Sequence, residues 1–357
     1  MKNIYNIAEN LSLVGGGQRT AVTNLHSYIN SDQTNLNSII VTNQKEPTDD
    51  FIEFAPKKDS FWSYSKALKE YLEMNISSES IIHLHGAWMY TQYIGSKIAK
   101  QKNAPYLITL HGMIQPWYLE QKKLKKKIYL DLILRNILKD SKIIHAITPY
   151  EKDNIFKLSK HKNIVEIPNF INYSEIPKIG EYNPEDEYLL FLSRLHEGKG
   201  LEILIQAMGK IDNKKIKLKI AGPENEYSNG LKKIIQDSKL SDRISIVGSV
   251  FGKAKYELFA NAKAFILPSY SEAIGMVNLE AACCQTPVIT TFNTGIKPDW
   301  NVNGGVLINP NIEELVKAMN DAISWSIEER NHRGKTLSDF VTENYSWEQK
   351  GHLWTEL

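Results

Sequence analysis

Cysteine is almost missing from this chain of 357 residues: the two present, Cys283 and Cys284, are neighbours, which suits small apolar helix positions and excludes a disulfide framework. The nine histidines fall at no ligand spacing and no Asp-x-Asp occurs, so no metal site is predicted. No apolar run approaches the ~18 residues of a membrane span. Residues 1–10 lack the apolar stretch of a secretion signal, and a cytoplasmic location is expected. Charge of one sign is lacking too: the net value is +2, and the dense basic run at 122–127 has no interleaved aromatics, which excludes nucleic acid as a partner.

What remains is ordinary globular material. An apolar content of 42% and a charged content of 24% are typical of folded domains, and the length suits two domains rather than one core. Charge is uneven along the chain, with 23 Lys+Arg against 17 Asp+Glu through residue 178 and 20 against 24 beyond it. A basic first half and an acidic second half imply separate tasks. Strands are predicted at 4–8, 38–41, 81–84, 106–110, 142–147 and 164–167, with helices near 61–74, 90–100 and 120–139. Such alternation specifies a doubly wound parallel sheet. An aperiodic stretch at 173–186 is the expected linker between a first domain, 1–172, and a second, 187–342. The second repeats the pattern, with strands at 188–192, 216–221, 244–247, 264–267 and 288–291.

The second half turns on residues 264–291, a strand, loop, helix and strand forming one βαβ unit. Glu272 stands at the carboxyl end of the first of these strands, where open α/β sheets bind ligands. Gly275 and Met276 open the helix and offer backbone N–H groups to a phosphate at its positive end. Glu280 follows eight positions after Glu272, and the two carboxylates can bracket a nucleotide sugar, Glu272 on the sugar and Glu280 on the ribose. Taken alone, the same pair also reads as a helix N-terminal acid and a solvated helix position. Arg194 and Lys199, in Ser-Arg-Leu-His-Glu-Gly-Lys-Gly, follow the first strand of this half. Two fixed cations there suit a pyrophosphate, or form a solvated basic loop. Val250 and Phe251, after the third strand, can hold a base. In the first half Gly15, Gly16 and Gly17 let the backbone turn sharply and approach a ligand, without the Gly-Lys-Ser/Thr of a Walker loop. His85 and His111 each end a strand and precede a glycine, either as structural groups or as site residues at one sheet edge.

The string Ser-Tyr-Ser-Glu-Ala-Ile-Gly-Met-Val-Asn-Leu-Glu-Ala resembles the Glu-x7-Glu signature of retaining GT-B glycosyltransferases of family 4. The Gly-rich loop, Thr-x-His-Gly, Ile-Pro-Asn, Ser-Arg-Leu-x3-Lys-Gly, Ala-Gly-Pro and terminal Ser-Trp fall in that family's order across nearly the whole chain. His111-Gly-Met with Pro116-Trp117 and a Lys-rich helix looks like the subgroup that builds bacterial surface polysaccharides. The resemblance implies an α/β, GT-B architecture: two doubly wound Rossmann-like domains facing a cleft, with the C-terminal helix of 343–357 packing back on the first. It implies sugar transfer from a nucleotide-diphosphate donor, expected to be a UDP-sugar, with retention and without metal or cofactor. By the same resemblance Arg194 and Lys199 neutralise the diphosphate, Gly275 and Met276 bind it, Glu272 contacts the sugar and Glu280 the ribose. Gly16, Gly17, His85 and His111 then serve the acceptor side, the two glycines also closing on the diphosphate. Phe170 and Ile274 depart from the family's usual Gly and Phe, touching the hinge and the packing under the phosphate loop.

Two rival readings are a GT-B-like sugar-nucleotide epimerase, which needs acid/base carboxylates on the first domain, and a non-catalytic sugar-nucleotide or glycan-binding protein. The segment 117–127 adds a partner. Trp117 and Tyr118 precede the lysines, and Leu124, Ile128, Leu132 and Leu138 share one face of a regular helix. Such a segment lies on an anionic membrane, or packs on the sheet with its lysines solvated. The first reading predicts peripheral association and a polyprenyl-linked glycan acceptor.

Overall fold

The computed structural model describes residues 2–357 apart from Asp32, Gln33, Asp59, Phe61, Lys122, Ile179, Glu181 and 183–186, and apart from the side chain of Val14. The chain forms two compact units, Met1–Asn169 with Gly351–Leu357, and Phe170–Lys350. Much of the expected linker, and one lysine of the basic run, therefore lies outside the described residues.

The first unit holds a seven-stranded sheet of β1 (Lys2–Asn10), β2 (Leu36–Gln44), β3 (Ile52–Glu53), β4 (Ile81–His85), β5 (Tyr106–Thr109), β6 (Ile143–Ala146) and β7 (Ile164–Glu166), in the order β3-β2-β1-β4-β5-β6-β7. The second holds six strands, β8 (Tyr188–Leu192), β9 (Lys217–Ala221), β10 (Ile244–Gly248), β11 (Ala264–Leu267), β12 (Val288–Thr291) and β13 (Val306–Ile308), in the order β10-β9-β8-β11-β12-β13. Every pairing is parallel. β8 and β11 are buried at every position, as central strands covered on both faces must be. Each unit is a doubly wound, Rossmann-like domain.

Sequence periodicity misses the two-residue β3 and the three-residue β13, which are too short to show it. It also misses the helix Pro149–Ser159, which Thr148 caps through Glu151 N. The helix expected from residue 61 starts at Lys66, because the Ser65 side chain accepts from Leu68 N and so defines the first turn. The helix expected over 120–139 is corrected most. It is Pro116–Glu120, Lys123–Tyr129 and Arg135–Asp140, with a π-helical turn at Leu130–Leu134. The wider turn carries an extra residue and rotates the remainder of the helix by about 100°. Leu124, Ile128 and Leu132 accordingly share an exposed stripe, while Leu138 is buried.

The second unit begins and ends side by side. Ile171 bridges Ser346, Trp347 N donates to Ile171 O at 3.0 Å, and buried Phe170 stacks edge-on against Trp347 at 5.2 Å. Phe170, where the resembled family carries glycine, thus fills a core position, and the boundary expected at 172 falls inside this unit. The last seven residues belong to the first unit, where Trp354 packs on His145 at 4.5 Å and on His83 at 5.6 Å.

Candidate functional site

In the second sheet the strand order reverses between β8 and β11, and the loops leaving these two strands define a crevice at their carboxyl ends. The loops are knitted together: Tyr270 N donates to Gly198 O at 3.0 Å, and a side chain at Gly200, whose φ is +70°, would run into the Pro268 carbonyl. This brings Lys199 to Glu272. Lys199 is buried, its Nζ donates to Glu272 Oε1, and the Ser269 hydroxyl donates to the same oxygen at 3.1 Å. Arg194 is exposed on the same loop and makes no ion pair among the described residues. Gly275 caps the helix Met276–Cys283 in the left-handed region, φ +65°, and a Cβ there would sit 2.8 Å from Asn278 Nδ2. The first turn of this helix presents its backbone donors at the crevice. Ile274 is buried beneath the loop.

Glu280 is also held by a lysine. Lys255 Nζ donates to Glu280 Oε1 at 2.9 Å, both side chains being largely buried. Burial alone pulls the Lys255 pKa down, but Glu280, together with Tyr256 and Cys284, outweighs it and leaves the ammonium favoured. Lys255 belongs to the helix Gly252–Ala260, which Phe251 precedes. Phe251 is 58% exposed and Val250 is half-buried, so this loop is open to a ring stacking on it.

In the first sheet the order reverses between β1 and β4, and here the strand ends carry histidines. Gly16, at φ +57° and ψ −132°, takes a backbone shape that only glycine adopts readily, and Gly17 opens the helix Gly17–Ile29. The turn is anchored from β2's far end. Arg19 makes a two-pronged pair with Asp49 at 2.6 and 2.8 Å, and Leu13 N donates to Glu46 Oε1 at 2.6 Å. The Asp49 hydrogen bond raises the Arg19 pKa, and the same bond lowers that of Asp49.

His85 ends β4 and His111 follows β5, with His85 Nδ1 3.1 Å from His111 Nε2. His111 is half-buried in the left-handed region at φ +52°, a strained position for a side-chain-bearing residue. Glu151 holds it there. This fully buried carboxylate accepts from Gly112 N at 2.6 Å and from Ile147 N at 2.8 Å, and burial pushes its pKa up. Gln18 reaches the same edge, its Nε2 lying 3.6 Å from where a Cβ on Gly86 would stand. The Gly-rich loop, His85 and His111 therefore converge. Burial, then the field of His145, depresses the His111 pKa to about 3, while burial depresses that of His145 to about 4 and those of His83 and His85 well below the ordinary value. Among the described residues no three His, Cys, Asp or Glu side chains are arranged to hold a metal ion.

Sequence reasoning passed over Glu151, Lys255 and Asn6. Thr148-Pro-Tyr-Glu151 has the spacing of a capping box, which marks a helix start and conceals that the carboxylate serves the next loop. Lys255 and Asn6 carry no local signal.

Residues 172–337 match the family model described as glycosyl transferases group 1, and residues 37–175 match glycosyltransferase family 4. The chain is a GT-B glycosyltransferase of group 1 with a family 4 type of N-terminal domain. An uncharacterized glycosyltransferase of Methanocaldococcus jannaschii is 26% identical over 77% of this chain and 74% of its own. An O-antigen chain mannosyltransferase of Salmonella typhimurium is 25% identical, over 61% and 62%. The Anabaena protein HepE, solved with UDP and glucose, shares the fold with a TM-score of 0.79 at 15% identity, over 100% of this chain and 99% of that one. Among the described residues no helix is long and apolar enough to cross a membrane.

Proposed function

We propose that this glycosyltransferase moves a sugar from a UDP-sugar, with retention and without a metal, to a polyprenyl-linked bacterial surface glycan at the cytoplasmic side of the plasma membrane. The observation that carries the reading is the arrangement at the β8/β11 switch point: buried Lys199 pairs with Glu272, on the loop that leads into the helix N-terminus at Gly275 and Met276, and exposed Arg194 lies on the loop of Lys199. Cations and backbone donors fixed in this way stabilise the negative charge that grows on a departing diphosphate. Glu272, adjoining them, takes the donor sugar. Glu280 takes the ribose and the Val250–Phe251 loop the base, and UDP accords with the nucleotide bound by the Anabaena protein of like fold. His111, with Gly16, Gly17 and His85, faces the sugar and acceptor. Transfer to a surface glycan accords with the similarity to an O-antigen mannosyltransferase.

Membrane contact rests on the stripe Leu124, Ile128 and Leu132, exposed by 73%, 53% and 69%, with Lys123, Lys125 and Lys127 exposed alongside. Lys126 is used otherwise, donating to Tyr118 O and standing 5.5 Å over the Trp88 ring. Thermal shift with UDP-, GDP- and ADP-sugars tests the donor, since only a ligand of the folded state raises its stability. Product anomer by NMR tests retention, and EDTA is expected to leave the rate unchanged. Activity abolished by EDTA and restored by a divalent ion overturns the metal-independent reading. Co-sedimentation with anionic vesicles is expected to fall when Lys123, Lys125 and Lys127 become Gln, each contributing about 1 kcal/mol near the surface. Unchanged sedimentation leaves a soluble acceptor.

A further inference from the structure

A line of hydrogen bonds runs across the first sheet from His111. His111 Nε2 meets His85 Nδ1 at 3.1 Å, and His85 Nε2 meets Asn6 Oδ1 at 3.0 Å. Asn6 Nδ2 donates to Ser38 Oγ at 2.8 Å, and Ser38 Oγ meets His26 Nδ1 at 2.9 Å. Asn6 and His85 are 0% and 2% exposed, so water does not compete within this line.

The sense of the line follows from the orientation of the Asn6 amide, nitrogen toward Ser38 and oxygen toward His85. With its amide nitrogen on Ser38, Asn6 turns an oxygen to His85, and an oxygen only accepts, so His85 Nε2 carries a proton. A neutral imidazole has one N–H. His85 Nδ1 is then an acceptor, and His111 must supply the proton between the rings from its own Nε2. That leaves His111 Nδ1 as the nitrogen with the lone pair. Burial keeps both rings neutral, in agreement with their depressed pKa values.

We propose that Asn6, acting through His85, is a positioning residue that sets the tautomer of His111, so that His111 meets its ligand as a hydrogen-bond acceptor at Nδ1. This rests on the reading of His111 as a sugar-side residue and refines it. The group it takes is a free hydroxyl, which can donate, and not an ether or carbonyl oxygen. A sugar blocked at that hydroxyl as its methyl ether is excluded.

A neighbouring pair supplies an internal standard. His145 Nε2 meets Ile167 O at 2.7 Å, and a carbonyl fixes it as a donor. Thr109 Oγ1 then donates to His145 Nδ1 at 2.8 Å and accepts from His83 Nε2 at 2.7 Å. His83 and His145 must therefore both be Nε2–H.

The test is long-range 1H–15N correlation on the full chain labelled with 15N-histidine, at pH 7, with rings assigned by single His→Gln variants. Expected are four neutral Nε2–H rings at positions 83, 85, 111 and 145. A proton on His111 Nδ1 in the wild type overturns the proposal. Asn6→Asp keeps an acceptor opposite His85 and is expected to preserve both tautomers. Asn6→Ala is expected to give His111 a mixture of tautomers and to lower kcat roughly tenfold while the UDP Kd holds. Spectra of Asn6→Ala identical to wild type also overturn it, and the Asn6→Asp and wild-type spectra decide the matter if the alanine variant does not fold. Should the spectra be as expected while His111→Ala turns over normally, the tautomer assignment stands and the sugar-side role of His111 is what fails.

Discussion

At the switch point of the first sheet the polar groups are histidines that burial holds neutral, stacked and hydrogen-bonded to one another and to Asn6, Thr109 and a carbonyl. At the switch point of the second they are lysines, each closed onto one carboxylate of the Glu-x7-Glu pair. The strand order around the two points is the same, so the fold does not explain the difference. On the function proposed above, what differs is the charge each crevice has to meet. A diphosphate needs fixed cations that remain charged in a partly dry site, and a lysine held by a glutamate meets that need. A sugar hydroxyl needs direction instead of charge, which neutral rings of fixed tautomer provide without attracting the wrong ligand.

The comparison breaks most visibly with pH. The four rings have folded pKa values below the unfolded value of about 6.5, so as pH falls the unfolded chain takes up protons first. Stability present above about pH 6.5 is lost on descending toward pH 4, by up to about 1.4 kcal/mol per pH unit for each ring that stays neutral in the fold. Glu151 works in the opposite direction, because its raised pKa favours the fold at low pH and that contribution declines as pH rises. Expected is a loss of several kcal/mol between pH 7 and 5, with amide exchange, corrected for its intrinsic rate, accelerating in β4–β6 and not in β8 and β11. Equal acceleration in both sheets refutes the contrast.

Lys199→Ala comes next. Removing the buried cation that pairs with Glu272 is expected to lower kcat/KM with the identified donor by ~2–4 kcal/mol; Arg194→Ala, at an exposed position, loses less but still about 2 kcal/mol. A chain that tolerates both changes does not use these cations in transfer. For His111→Ala the expected loss is ~2 kcal/mol in kcat with unchanged UDP affinity, since the ring belongs to the other unit's chemistry. A matching loss of UDP affinity blurs the division between the two halves. The smallest effects sharpen the second crevice from within: Glu280→Gln and Lys255→Met are each expected to weaken UDP binding by ~1–2 kcal/mol, measured by calorimetry, with Glu272→Gln sparing it and slowing transfer. Unequal losses at 280 and 255 separate the carboxylate from its lysine.

By itself the sequence determined the alternation of strand and helix, the placing of Glu272, Arg194 and Lys199 after strand ends, and the glycines at 16 and 275. These are local matters, set by apolar periodicity and by backbone angles that a side chain obstructs. The structure alone decided what those groups touch. Asn6 and His85 are 79 positions apart and meet because β1 lies beside β4; Glu280 and Lys255, 25 apart, meet because two helices pack. Glu151 serves the backbone at Gly112, 39 positions before it. Neighbours in a doubly wound sheet are not neighbours in the chain, so no spacing in the sequence announces such pairs. The π turn at Leu130–Leu134 escaped for a related reason: a regular 3.6-residue count places Leu138 on the stripe of Leu124, Ile128 and Leu132, and one additional residue in a single turn, stabilised by the packing of Leu130 and Leu134, moves it into the core.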